Sequence, residues 1–147
     1  MPKKLPIAGQ PDALARIRAG DTPGVIGELQ GRIAADPNDD AAWLQLGLVY
    51  VHIQHWAEAE HAFGQAVALD GGLVEARLSY ARVLSQLRKH DAAAFQLVQA
   101  KRLAPDDVRV LRQLGVVFYD KGLHDKALQQ LGRARELAPD DARLSFT

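Results

Sequence analysis

The sequence predicts an all-α chain of short helical hairpins stacked in a row, and three observations carry that expectation. The first is a pattern of large and small residues that returns with a 34-residue period. Trp43, Leu46, Gly47 and Tyr50 precede Ala59, Phe63 and Ala66; Tyr80, Ala81 and Leu84 precede Ala93, Leu97, Ala100 and Pro105; Leu111, Leu114, Gly115 and Phe118 precede Ala127, Leu131, Ala134 and Pro139. Each set is spaced as two short helices packed against each other. The second is composition: 48% of the 147 residues are hydrophobic but only 6% are aromatic. A core of Ala, Leu and Val suits closely packed helices better than sheets, which favour β-branched and aromatic side chains. The third is punctuation, since Leu69-Asp70-Gly71-Gly72, Leu103-Ala104-Pro105-Asp106-Asp107 and Leu137-Ala138-Pro139-Asp140-Asp141 close successive periods with helix-stopping residues.

Taken in order, residues 1–10 carry Pro2 and Pro6 and run into Pro11, and are expected to be an extended or mobile segment. Asp12 is placed to cap a short helix bearing Leu14 and Ile17 that stops at Ala19-Gly20. Thr22-Pro23 reads as a cap followed by proline at the first helical position, opening a helix with Val25, Ile26, Leu29 and Ile33 on one face. It closes at Asp36-Pro37-Asn38-Asp39, so residues 11–39 form a leading hairpin.

Three full units are expected at 40–73, 74–107 and 108–141, each with a first helix over its residues 1 to 14 and a second over 17 to 30. Gly47, Ala81 and Gly115 sit where the two helices of a unit approach, and Ala59, Ala93 and Ala127 sit where the second helix meets the first. A side chain larger than Ala at these places is expected to cost roughly 1–3 kcal/mol in overpacking. Trp43, Tyr50, Phe63, Leu84, Leu97, Phe118 and Leu131 fill the remaining space, and the last aspartate of a turn caps the next helix. Gly71 makes its turn the loosest. Residues 142–147 read as the truncated start of a further helix, which leaves the apolar side of the last one to be covered by more chain or another molecule.

This period and this order of residues resemble the tetratricopeptide repeat, a helix-turn-helix unit that stacks into a right-handed α-α superhelix, or solenoid. In that frame Val25, Leu29 and Pro37 fall on family positions while the first-helix signature is missing, so 11–39 reads as a degenerate leading repeat that caps the stack. The middle unit departs from the pattern, with Arg77 where the family has Trp and Tyr80 where it has Leu. The resemblance implies a concave groove lined by first helices. At its groove-facing positions the first unit has Leu44, Leu48, Val51 and His52, the second has Leu78, Arg82 and Ser85, and the third has Arg109, Arg112, Gln113, Val116 and Tyr119. The expected partner is another protein, whose peptide or helix offers apolar side chains followed by acidic ones. Arg82, Arg109 and Arg112 are expected to converge on a carboxylate, and Leu5-Pro6-Ile7 is a candidate pseudo-ligand for the apolar end. Only Arg109 matches the subclass that grips chaperone tails, which argues against that role. Self-assembly into a homo-oligomer and chaperoning of a secreted or assembling subunit are the alternatives.

Other chemistry is absent from the reading. Lys plus Arg and Asp plus Glu are both 18, so no global field favours nucleic acid or an anionic membrane. No stretch nears the roughly 18 apolar residues that would insert in a membrane, and a cytoplasmic location is expected. There are no cysteines, which excludes disulfides and thiol nucleophiles. His52, His55 and His61 lack the carboxylates that would complete a metal site. Ser79, Ser85 and Ser145 have no nucleophile context and no phosphate-cradling glycine loop occurs. No enzyme activity, cofactor or metal is expected.

Overall fold

The computed structural model describes residues 11–139, the side chains from Ala13 onward, and those residues form eight helices that divide into two compact units at Gly71/Gly72. Leu5-Pro6-Ile7 and residues 140–147 lie outside the described residues. The division falls in the turn whose glycine replaces the family's proline.

The first unit holds α1 (Pro11–Arg18), α2 (Thr22–Ala35), α3 (Asp40–His52) and α4 (Trp56–Leu69). Its core joins Ile17 of α1, Val25 and Leu29 of α2, Ala42, Leu46 and Val49 of α3, and Ala62 of α4. Helix α2 corrects one expectation: Thr22 is its first residue rather than its cap, and Asp21 precedes it without a side-chain capping bond. The reason is Arg16, which claims the Asp21 carboxylate at 2.7 Å and reaches Glu28 at 2.8 Å, tying α1 to α2. Asp39 does cap α3, accepting from the Ala42 amide at 3.0 Å, while its other oxygen accepts from Arg32 of α2 at 2.9 Å. One carboxylate thus starts α3 and pins it to the preceding helix.

The second unit holds α5 (Val74–Gln86), α6 (His90–Leu103), α7 (Val108–Asp120) and α8 (His124–Leu137). Leu84, Leu97, Val110 and Leu114 are packed in its core, together with Ala81, Ala93 and Ala100. Leu111 and Ala134 bury a smaller contact between α7 and α8. Leu78, expected on the open face, is instead in the core at 3% exposure. Ala104 and Ala138 end α6 and α8 just before Pro105 and Pro139, which cannot continue a helix.

Each first helix stops one residue short of the expected length, because Ile53, Leu87 and Lys121 act as C-caps. The next residue turns left-handed: φ is +62° at Gln54, +64° at Arg88 and +79° at Gly122, and +93° at Gly20 in the leading hairpin. In all four turns the following amide donates back to the carbonyl five residues earlier at 2.8 Å, from Asp21, His55, Lys89 and Leu123. These left-handed residues are themselves 34 apart, so the leading hairpin shares the period although it lacks the first-helix signature.

The close approach inside a hairpin is tighter than expected. A Cβ at Gly47 would lie 2.6 Å from the Phe63 ring, and one at Gly115 would lie 2.5 Å from Leu131, so even a methyl group intrudes. Phe63 is fully buried, whereas Trp43, Tyr50, Phe118 and Leu131 are half-buried. Ala59, Ala93 and Ala127 are buried where the second helix of each hairpin crosses the first.

Candidate partner-binding site

In the second unit, α5 and α7 present side chains to a common cleft of about 420 Å³. Arg82 and Ser85 come from α5; Arg109, Arg112, Gln113 and Val116 come from α7. Helical spacing explains the set, since Arg109, Arg112, Gln113 and Val116 fall at successive intervals of three, one and three residues along one face. The other face of α7, with Val110 and Leu114, packs into the core and fixes that orientation, and Val117 lies between the core and the cleft.

The arginines are not equivalent. Asp107, the cap of α7, accepts from the Arg109 backbone amide at 3.0 Å and from its guanidinium at 2.8 and 3.1 Å. Glu75 of α5 takes the remaining edge of that guanidinium at 2.6 Å. These two carboxylates push the Arg109 pKa further up, Asp107 foremost. Arg109 in turn holds the Asp107 carboxyl below the usual carboxylate range. Arg109 is therefore a charged group paired with two carboxylates, and Arg82 and Arg112 line the same cleft. Beside it Val116 is 50% and Tyr119 61% exposed, and the Tyr119 ring meets His124 edge-on at 5.1 Å.

The remaining expected residues belong to the other unit. Leu44, Leu48 and Val51 lie half-buried on α3, and His52 is exposed at its end. Sequence reasoning also assigned Trp43 and Tyr50 to packing alone, yet both line a cleft of about 540 Å³ between α2, α3 and α4. Among the described residues no group of three or more His, Cys, Asp or Glu is placed to hold a metal ion. Nor is any helix among them long and apolar enough to cross a membrane.

Residues 27–144 match the family described as the cytochrome c-type biogenesis protein H TPR domain. The chain belongs to that tetratricopeptide family. A crystal structure of MamA superposes with a TM-score of 0.83 at 26% identity, covering 88% of this chain and 76% of that one. A structure of MamA from Desulfovibrio magneticus RS-1, residue 41 to its end, gives 0.81 at 19% identity over 89% of this chain and 74% of its own, a likeness of fold alone. Anaphase-promoting complex subunit 3 of Schizosaccharomyces pombe is 32% identical over 83 residues, 56% of this chain but 12% of that protein. The chain thus spans a small fraction of that relative. The fold is an all-α solenoid of tetratricopeptide hairpins, and family and neighbours together support a role as a protein-interaction scaffold.

Proposed function

We propose that this tetratricopeptide chain is a non-catalytic adaptor that captures a segment of another protein, and that the α5–α7 face of the second unit is where an acidic segment docks. The observation that carries the reading is the convergence of Arg82, Arg112 and Gln113 on one cleft beside exposed Val116. Guanidinium groups offer a fork matched to carboxylates, and the exposed valine and Tyr119 offer apolar contact to neighbouring side chains. Leu44, Leu48 and Val51 on α3 would take apolar residues of a partner in the same way. Arg109 contributes by shape, since Glu75 and Asp107 already match its charge.

The test is capture of binding proteins from a source-cell lysate on the immobilised chain, beside an Arg82→Glu, Arg112→Glu double variant. This pair spares Arg109 and so leaves the α7 cap intact. A partner retained by the wild-type chain and lost by the variant supports the adaptor and its face. Equal capture of a partner by both forms removes the cleft from the account. Recovery of nothing but further copies of the chain would favour self-assembly instead.

A further inference from the structure

The cleft between α2, α3 and α4 in the first unit is built unlike the α5–α7 cleft. Its volume of about 540 Å³ lies in the range of sites that accept a ligand or a large side chain. Leu46 and Ala62 form a buried floor at 4% and 1% exposure, and Ile33, Trp43 and Tyr50 form half-buried walls. The rings are held by their own partners. Trp43 Nε1–H donates to the Pro37 carbonyl at 3.0 Å, and the indole meets His61 edge-on with centroids 5.6 Å apart. Tyr50 stacks on His55 at 6.2 Å with the planes 8° apart. Walls fixed in this way lose little freedom on binding, which favours occupancy.

The charge on the cleft selects what enters. No lysine or arginine lines it, and Glu58 is its formal charge, half exposed at the mouth with His55 Nδ1 3.3 Å away. We infer that this cleft is a second docking surface, for a segment of another protein that inserts one large apolar side chain and sets a lysine or arginine beside Glu58. Apolar walls reward the inserted side chain with burial, and the carboxylate decides which flanking charge is accepted. The α5–α7 cleft, lined by arginines, prefers the opposite sign. The inference does not rest on the reading of that cleft.

The test uses nuclear magnetic resonance of the full chain, following amide and indole N–H signals. The probe is the peptide acetyl-Gly-Arg-Leu-Phe-Arg-Gly-amide, compared with the same peptide carrying glutamate for both arginines. Wild type is run beside Glu58→Lys and Ala57→Phe, both at exposed positions of the cleft mouth, with thermal unfolding confirming that each variant folds. The expected result is a saturable shift of the Trp43 indole signal by the basic peptide. Glu58→Lys should weaken binding about fivefold, the sum of an exposed attraction lost and a repulsion gained. Ala57→Phe, which fills the mouth, should abolish the shift. No saturable shift at Trp43, equal affinity for the two peptides, or binding indifferent to Ala57→Phe would each overturn the proposal.

Discussion

The hairpin of α3 and α4 and the hairpin of α7 and α8 follow one backbone plan and put it to different uses. Both begin with a capping aspartate, and both turn through a left-handed residue. In the first, Asp39 uses its second oxygen to hold Arg32 of the preceding helix, with both side chains largely buried, so the cap is part of the packing. In the second, Asp107 holds Arg109 on the open face, where Glu75 of α5 meets it, so the same cap shapes a cleft. The period sets where the backbone goes; a few side chains at fixed offsets decide whether a position packs or faces a partner.

Substitutions at equivalent positions of the two hairpins should differ in effect. The largest effect is expected at Gly47, where a methyl group meets the flat, fully buried Phe63 ring: Gly47→Ala should cost about 2–3 kcal/mol in urea unfolding. Gly115→Ala should cost less, about 1 kcal/mol, because Leu131 can shift its rotamer and the Ala81 and Leu97 pair already packs at the equivalent place. Equal losses at the two glycines would show that the filling residue does not matter. Asp39→Ala should cost about 1–2 kcal/mol, since it removes a cap and strands a largely buried Arg32 bond, and Asp107→Ala about 1 kcal/mol. Gln54→Gly should add about 0.5–1 kcal/mol by relieving a left-handed non-glycine residue, whereas the same turn in the last hairpin already has Gly122.

The smallest effect is one of pH. The native Asp107 pKa lies below its ordinary 3.8, so its charge stabilises the fold above that value and the contribution is lost as pH falls through the lowered native one. The stability gap between wild type and Asp107→Asn, which keeps a capping side chain, should therefore be constant near neutrality and close in acid. A gap that widened as pH fell would contradict the Arg109 bond.

The fold was legible because small residues cannot be moved without losing close packing. Gly47, Ala59, Phe63 and their counterparts 34 residues on mark where helices touch, and the structure places them buried. Helix starts were legible where an aspartate keeps its capping bond, as at Asp39 and Asp107, and one residue off at α2, where Arg16 binds Asp21 and no side chain caps the helix. Of the residues expected to face a partner, Arg82, Arg112 and Gln113 do line one cleft, which helical spacing alone could foretell. Pairing of a cleft arginine with Glu75 was open to the sequence; what it did not reveal was that Asp107 takes the Arg109 guanidinium as well as capping α7, nor the burial of Leu78, which depends on how far α5 rolls towards the core. The α2–α4 cleft was hidden for a related reason. Its walls are packing residues whose cover is missing, and a missing neighbour is visible only in three dimensions.

The proposed function depends most directly on the α5–α7 face. The decisive measurement is an amide nuclear magnetic resonance titration of the chain with an acidic peptide, acetyl-Gly-Glu-Leu-Val-Glu-Gly-amide, repeated with the Arg82→Glu, Arg112→Glu variant. Saturable shifts at Arg82, Ser85, Gln113 and Val116, absent from the variant, are the expected result. Shifts confined to other helices, or a variant that binds as well as the wild type, would contradict it.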